Sequence, residues 1–223
     1  RGLVMHTPEV SYPYQVLGTE YGGWPLVDGA VTPDSIVYSF GVGEDISFDL
    51  ALIARTGCQV WAFAPTPTSG GRLASTVLPA NFHFEPVGIS AEDVEITFYP
   101  PADRDHVSYS SQPGAHQTRA PITAPVRRLE TLRRELGHTC VDVLKMDIEG
   151  FEYEVIEDLL AGPLRPRHLL VEFHHRMYCI PDAKTQRAVE ALRAAGYRLF
   201  YVSRSGQEYG FFRPSDTPNN TSG

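Results

Sequence analysis

From Ser35 onwards, the sequence alternates between short apolar runs and longer amphipathic stretches. Runs such as Ile36–Phe40 and Gln59–Phe63 have the length and the nearly continuous apolar character of strands that are buried on both faces. The stretches between them repeat apolar residues every three or four positions, as one face of a helix does. This alternation predicts an α/β fold, with a mostly parallel sheet and helices on both faces. In such sheets, ligands bind beyond the carboxyl ends of the strands.

The two ends of the chain depart from this alternation. Residues 197–202 and 208–212 alternate in polarity around a turn-like segment, which predicts an antiparallel C-terminal hairpin at the edge of the sheet. Residues 1–34 show no clear period, and we expect them to form an irregular arm or lid before a main domain of residues 35–213. The polar residues 214–223 are expected to form a flexible tail.

Composition excludes several classes of function. The net charge of −8 argues against a nucleic-acid-binding protein, which needs a basic face. No apolar run approaches the roughly 20 residues that span a bilayer, and the N-terminal residues do not resemble a secretory signal. The cysteines, Cys58, Cys140 and Cys179, form no C-x-x-C pair. We interpret them as reduced thiols of a cytoplasmic protein that does not interact with membranes.

The first candidate binding motif follows the first predicted buried strand and reads Ser39-Phe40-Gly41-Val42-Gly43-Glu44-Asp45. Glycine lets the backbone turn tightly and approach a ligand without a Cβ clash. The third glycine of the dinucleotide fingerprint is missing, which favours a ligand without a pyrophosphate. The Glu44-Asp45 pair would repel phosphate and could receive an ammonium group. Alternatively, these acids interact favourably with the dipole of the following helix.

The second motif, Phe63-Ala64-Pro65-Thr66-Pro67, lies at the end of the second of these strands. Nucleoside sites of this architecture place an acid at this position to bind the ribose hydroxyls. Here the position holds Ala64, and no acid lies nearby in the sequence to replace it.

The third motif covers residues 144–152 and combines Lys145 with Asp147 and Glu149 around a strand end and a glycine turn. Polar residues at the end of a buried strand predict a functional site in this architecture. A purely structural alternative makes Lys145 and Asp147 a salt bridge and Glu149 a helix-capping acid.

The fourth motif, Glu172-Phe173-His174-His175-Arg176, ends the next strand. Strand alternation sends Glu172 and His174 to the same side. Together with Asp147 they would form either a proton-transfer set or the ligands of a divalent metal.

Taken together and in this order, these motifs resemble the FkbM family of methyltransferases. Residues 37–49 and 144–152 are similar to the two signature blocks of that family. Residues 172–175, and the arm segment 18–24, are similar to its branch of methyltransferase-like (METTL-type) proteins. The resemblance covers roughly residues 18–213.

The resemblance implies a Rossmann-like, seven-stranded methyltransferase domain over residues 35–213. It also implies S-adenosylmethionine as the cofactor and methyl transfer to a hydroxyl of a small molecule, such as a sugar or a natural product. The family pattern in the second motif is F-D-P-T-P, and its loss at Ala64 would weaken cofactor binding by about 1–3 kcal/mol. The sequence leaves open whether Ala64 is natural or introduced. The cofactor-binding residues implied are Ser39, Phe40, Gly41, Gly43, Glu44, Asp45, Phe63, Ala64, Pro65 and Thr66.

For catalysis we expect His174 to act as the base, because a histidine titrates near neutral pH. Asp147 or Glu172 would orient it or hold a metal, with Lys145 in the same group. The residues expected to line the acceptor pocket are Tyr21, Trp24, Glu149, His175 and Arg176. The arm would either cover this pocket or mediate a homodimer.

Two alternatives remain open at the level of sequence. A degenerate family member would bind a ligand or a partner without catalysis, and Ala64 is the residue that favours this interpretation. An NAD(P)-dependent oxidoreductase would use the same architecture, but the missing third glycine and the missing ribose acid argue against it.

Overall fold

The computed structural model describes residues 6–43, 45–66, 73, 77–99, 120–175 and 180–214. The strands in this part of the chain are β1 (Tyr14–Leu17), β2 (Trp24–Val27), β3 (Ile36–Phe40), β4 (Gln59–Phe63), β5 (Phe82–Glu85), β6 (Gly88–Ile89), β7 (Val94–Phe98), β8 (Ile122–Arg127), β9 (Val143–Met146), β10 (His168–Glu172), β11 (Arg198–Val202) and β12 (Glu208–Phe212). Its helices are α1 (Ser47–Thr56), α2 (Leu129–Glu135), α3 (Glu152–Ala161) and α4 (Asp182–Ala194).

The central sheet has seven strands in the order β11, β12, β10, β9, β3, β4, β5. Strands β3, β4, β5, β9 and β10 pair in parallel, whereas β12 is antiparallel to both β10 and β11. The predicted mostly parallel, Rossmann-like sheet with an antiparallel C-terminal hairpin is therefore confirmed. The chain first builds outwards from β3 and then returns to add β9 on the other side. The loops that follow β3 and β9 meet at this switch point, where such sheets bind ligands.

Helices cover both faces of the sheet because successive strand residues point to opposite sides. On one face, α1 contributes Leu52 to a buried cluster that includes Val37 of β3. On the other face, Tyr38 of the same strand packs in a second cluster with residues of α2, α3 and α4. The strands predicted at Ile36–Phe40, Gln59–Phe63 and residues 208–212 agree with β3, β4 and β12, and the one predicted at residues 197–202 agrees with β11 to within one residue.

The N-terminal arm is more ordered than the sequence indicated. Strands β1 and β2 form an antiparallel hairpin, and all four residues of β2 are buried. Val27 packs against Phe200 and Phe212 of the C-terminal hairpin, and its backbone N–H donates a hydrogen bond of 3.0 Å to Nε2 of His168. The arm gave no strand pattern because β2 is short, contains a proline and is buried on both sides, so its residues do not alternate in polarity.

A second, three-stranded sheet was predicted only in part: the alternation of Glu95–Tyr99 indicates β7, whereas residues 100–125 are interpreted from their prolines as a loop and Val126–Leu136 as a helix. Strand β8 lies between β6 and β7. It runs through residue 127, and α2 begins at Leu129. Pro125 obscured the strand, although Ala124 and Val126 on either side of it are both buried, as alternation requires. Within the described residues, no helix is long and apolar enough to cross a membrane.

Candidate active site

The carboxyl ends of the parallel strands surround a cavity of about 220 Å³. The loops after β3 and β4 contribute Phe40, Gly41, Val42, Gly43, Asp45, Phe63, Ala64, Pro65 and Thr66. The ends of β9 and β10 and the turn before α3 contribute Lys145, Asp147, Ile148, Glu149, Phe151 and Glu172. The arm, the small sheet and β12 complete it with Tyr21, Gly22, Gly88, Ile89, Phe98, Val126 and Glu208. Residues of all four predicted motifs therefore share one cavity.

Gly41 is required where the loops after β3 and β9 touch. Its φ of 79° lies in the left-handed region, and a Cβ built on it would lie 1.7 Å from the carbonyl oxygen of Asp147. No other residue type fits so close to backbone. The sequence suggested that this glycine makes room for a ligand. In the structure, the atom that demands a glycine belongs to the neighbouring loop.

Asp45 connects the arm to the start of α1 through hydrogen bonds. One carboxylate oxygen accepts a hydrogen bond of 2.7 Å from the backbone N–H of Ser47, and the other accepts one from the hydroxyl of Thr19. Gly22 packs so closely against this carboxylate that a Cβ there would lie 2.4 Å from its Cγ. Burial would raise the pKa of Asp45, but the hydrogen bonds from Ser47 and Thr19 hold it below the ordinary value. Asp45 is therefore a charged carboxylate in the cavity wall.

The end of β4 lacks a carboxylate. Ala64 is buried and its backbone N–H donates to the carbonyl oxygen of Glu85, while Phe63 stacks on Phe40 with ring centroids 4.3 Å apart. Among the described residues that line the cavity, every acid lies on the side of β3, β9, β10 or β12. The acid that the sequence lacks at Ala64 is therefore not replaced by a neighbouring acid among the described residues that line the cavity.

The small sheet supplies an apolar wall that the sequence did not predict. Ile89, Phe98 and Val126 are buried and line the cavity near Ala64. They come from β6, β7 and β8. Strand β6 has only two residues and β8 is interrupted by a proline, so neither was recognised from the sequence as part of a site. A flat, apolar ligand surface would be accommodated at this wall.

At the other end of the cavity, a buried histidine is held by a buried glutamate. Glu152, at the first turn of α3, accepts hydrogen bonds from the backbone N–H of His174 (2.8 Å) and from Nδ1 of its ring (3.0 Å). Its second oxygen accepts a hydrogen bond of 2.9 Å from the backbone N–H of Gly150. Neither side chain is more than 2% exposed. Glu152 is one of the three acids of the third motif, but the sequence assigned it no role, because its helical position gave no sign that it would turn inwards.

The Nε2 atom of His174 faces three more carboxylates. It lies 3.7 Å from an oxygen of Asp147, 3.6 Å from one of Glu149 and 3.9 Å from one of Glu172. Desolvation lowers the pKa of His174, but the hydrogen bond and charge of Glu152, with Glu149 and Asp147, raise it to about 9.

The carboxylates near His174 also repel one another. Glu172 stands directly opposite Glu208 in the antiparallel pair of β10 and β12. Burial and the nearby Asp147 raise the pKa of Glu172, and burial, with a contribution from Glu149, raises that of Asp147. Like charges opposite one another in a sheet are destabilising, so this arrangement is expected to serve a function rather than stability.

Glu149 adopts a backbone conformation that is unusual for its residue type. Its φ is 54°, the one positive value for a non-glycine residue in the described ranges. A left-handed backbone without glycine costs of order 1–3 kcal/mol and is typical of functional sites. The turn directs the Glu149 carboxylate towards His174, with only 17% of the side chain exposed.

Lys145 is the cation nearest to these acids within the cavity wall. It is 4% exposed, its Nζ lies 3.5 Å from the carbonyl oxygen of Phe40, and it lies above the Trp24 ring, 5.4 Å from the centroid. The fully buried Asp49 of α1 lies close enough for the charge of Lys145 to oppose the rise that burial causes in its pKa. The Lys145–Asp147 salt bridge considered from the sequence does not occur.

Four residues predicted for the site do not line the cavity. Trp24 belongs to the core beneath Lys145, Ser39 is buried within β3, and His174 and His175 lie behind the cavity wall. Trp24 begins β2, whose burial the sequence did not indicate, and Ser39 lies within β3, before the end of the strand. Tyr21 does line the cavity and is 90% exposed at its rim. Glu44 and Arg176, predicted for the cofactor and the acceptor, lie outside the described residues.

Comparison with known proteins identifies the family. The model of the methyltransferase FkbM domain matches residues 35–199. The chain belongs to the FkbM methyltransferase family. The family resemblance seen in the sequence motifs is therefore confirmed over most of the chain.

Individual relatives of this FkbM-family chain are distant. It is 28% identical to human probable methyltransferase-like protein 24, over 62% of this chain and 32% of that protein. It is 26% identical to the 2-O-methyltransferase NoeI of Sinorhizobium fredii, over 63% of this chain and 64% of that protein. The chain thus spans only about a third of the human relative and less than two thirds of NoeI.

Solved structures similar to this chain include a methyltransferase FkbM from Methylobacillus flagellatus, with 16% identity and a TM-score of 0.49. That match covers 81% of this chain and 44% of the other. Aeropyrum pernix fibrillarin, solved with natively bound S-adenosyl-L-methionine, has 11% identity and a TM-score of 0.45, covering 92% and 83% of the two chains.

Proposed function

We propose that this chain is an S-adenosylmethionine-dependent methyltransferase that methylates a hydroxyl oxygen of a small molecule. The observation that carries the proposal is the single cavity at the switch point, in which the glycine loop after β3 and the acids after β9 and β10 face one another. Membership of a methyltransferase family supports the reaction class. The relative named as a 2-O-methyltransferase supports oxygen as the acceptor atom.

The cavity fits this cofactor in shape and charge. Its lining residues include five carboxylates, those of Asp45, Asp147, Glu149, Glu172 and Glu208, but one lysine. Such a lining favours a ligand with sulfonium and ammonium charges and disfavours phosphates. The residues after β3 and β4, from Phe40 to Thr66, would hold the cofactor, with the apolar wall of Ile89, Phe98 and Val126 against its adenine.

When bound, S-adenosylmethionine supplies an electrophilic methyl group, so the protein mainly aligns the acceptor and removes its proton. We assign the base to Glu172 rather than His174, because the ring of His174 is buried behind the cavity wall. Glu172 lines the cavity and is placed to accept the proton at a carboxylate oxygen. His174 then acts as a positioning residue for the surrounding acids.

Tyr21 is placed to contact the acceptor, because it projects from the arm at the rim of the cavity. An exposed aromatic ring beside a row of carboxylates suits a hydroxyl-rich molecule, which offers an apolar ring face and many hydrogen-bond donors. This favours a sugar or a glycosylated natural product.

Titration calorimetry with S-adenosylmethionine tests the cofactor assignment, on the natural chain and on Ala64→Asp. We expect weak binding by the former and about ten- to a hundredfold tighter binding by the variant, because the added carboxylate can accept hydrogen bonds from two ribose hydroxyls. Ala64→Asn is the matched control, since it has nearly the same volume without the charge. Absence of binding by both the natural chain and Ala64→Asp would refute the proposal.

The missing acid at Ala64 favours one alternative, a family member that binds a ligand or partner without catalysis. That interpretation predicts no methyl transfer from labelled S-adenosylmethionine to any member of a panel of sugars and phenols, even for Ala64→Asp. Transfer by either protein would exclude it.

A further inference from the structure

A second binding function is indicated at the acidic end of the cavity. One ligand atom from each of Asp147, Glu149 and His174 lies within 4.8 Å of the others, which is close enough for a single metal ion to contact all three. We propose that these three side chains bind one divalent transition-metal ion of the Mn²⁺ type. The binding itself stands on these residues alone, whereas its role in methyl transfer rests on the proposed function.

The orientation of His174 is the first argument for a metal. Because Nδ1 of the ring is hydrogen-bonded to the buried Glu152, the proton that a metal ion would displace is the one on Nε2, the nitrogen that faces Asp147 and Glu149. A carboxylate that fixes the far nitrogen of a histidine ligand is a recurring feature of metal sites. Glu152 is fully buried and also holds two backbone N–H groups, so it cannot rotate away.

The distances to Nε2 are the second argument. The oxygens of Asp147 and Glu149 stand 3.7 and 3.6 Å from it, farther than a direct hydrogen bond. Ligands bound to a common ion at about 2.0–2.2 Å are separated by about 3 Å or slightly more, so only a small contraction is required. Three side chains also leave positions for water or for an acceptor hydroxyl.

The mixture of donors indicates the type of ion. Carboxylates alone suit Mg²⁺ or Ca²⁺, whereas an imidazole nitrogen favours first-row transition metals. The ligand set differs from the one suggested by the sequence, because Glu149 takes the place of Glu172. Glu172 is left at the cavity surface, where it can accept a proton from an acceptor held by the ion.

Electron paramagnetic resonance of Mn²⁺ tests the inference without any methyl acceptor. The full chain is first freed of metal with a chelator and then titrated with Mn²⁺, and the signal of the free ion is followed. We expect one saturable site per chain. Glu149→Gln and Asp147→Asn should each weaken binding at least about tenfold, and Glu152→Gln by about tenfold through the orientation of His174.

The matched control is Glu208→Gln, which removes one charge from the same cavity but no ligand atom. It should change the affinity for Mn²⁺ less than about threefold, because it acts only through screened charge. No saturable binding by the natural chain, or an equal loss in Glu208→Gln, would overturn the inference. Calorimetry with S-adenosylmethionine on the same preparations separates this failure from that of the proposed function, and circular dichroism checks that each variant is folded.

Discussion

The two ends of β10 each hold a buried histidine, and the two residues have opposite properties. His168 begins the strand and is 1% exposed, while His174 follows its end and is 2% exposed. Burial and Arg167 lower the pKa of His168 to about 3, whereas the carboxylates around His174 raise its pKa to about 9. Burial alone therefore does not decide the charge of either residue.

Their neighbours explain the difference. His168 packs edge-on against Phe200 and Phe212 and accepts a hydrogen bond from the backbone of Val27, so its neutral ring connects the arm to the sheet. His174 instead packs among acids from the loop after β9, the first turn of α3 and the end of β10. The amino end of the strand packs into the core, whereas its carboxyl end reaches the cavity at the edge where parallel sheets bind ligands.

The largest expected effect is on turnover. His174→Ala should lower kcat about a hundredfold or more, because the acids around it lose their positioning, while the affinity for S-adenosylmethionine stays within about threefold. His168→Ala should lower stability but leave kcat within about threefold at a temperature where it is folded. The measurement is transfer of labelled methyl to the acceptor that the natural chain uses best. Equal losses of kcat in both variants would contradict the difference drawn between His168 and His174.

The next effect concerns stability in acid and depends on His168, at the amino end of β10. Between pH 6.5 and about 3, the unfolded chain binds a proton at His168 that the folded chain does not, so stability falls as pH falls through this window. Between pH 7.5 and 4.5, His168 should account for roughly 3 kcal/mol of lost stability. Urea unfolding of the natural chain and of His168→Gln, whose amide oxygen can still accept from Val27, measures it. Identical pH dependence of the two proteins would contradict the neutral, buried state of His168.

The smallest effect concerns the backbone at the acidic end. Glu149→Gly should raise the free energy of unfolding by about 1 kcal/mol, since glycine relieves the left-handed conformation and one repelling charge is lost. Glu149→Gln, which keeps the conformation and removes the charge, separates the two contributions. Urea unfolding at neutral pH is the measurement. Destabilisation by the glycine variant would show that Glu149 is present for stability.

Much of the central fold was predictable because its strands are buried on both faces and its helices have one apolar face. The runs Ile36–Phe40 and Glu208–Phe212 were located from their sequence alone. Strands β2 and β8 were not, since each contains a proline and derives its burial from partners distant in the sequence. Periodicity reflects a local pattern and does not indicate which distant parts of the chain a strand packs against.

The candidate site was predictable to the level of strand ends but not of individual roles. Asp147 and Glu172 were expected there, and the parallel register brings them together. The inward turn of Glu152 and the pairing of Glu172 with Glu208 depend on tertiary contacts and the hairpin register, which the residue types do not encode. The role of His174 as the base was inferred from the ordinary titration of a histidine, and the sequence could not show that four carboxylates surround its ring.

The contact between Gly41 and the backbone of Asp147 couples the two halves of the cavity mechanically. A side chain at position 41 would push against the very residue that carries a proposed metal ligand. A shift of the loop after β3 would therefore displace the loop after β9 as well. Substitutions at Tyr21, on the exposed rim, are easier to accommodate than substitutions at this junction, where the two backbones touch.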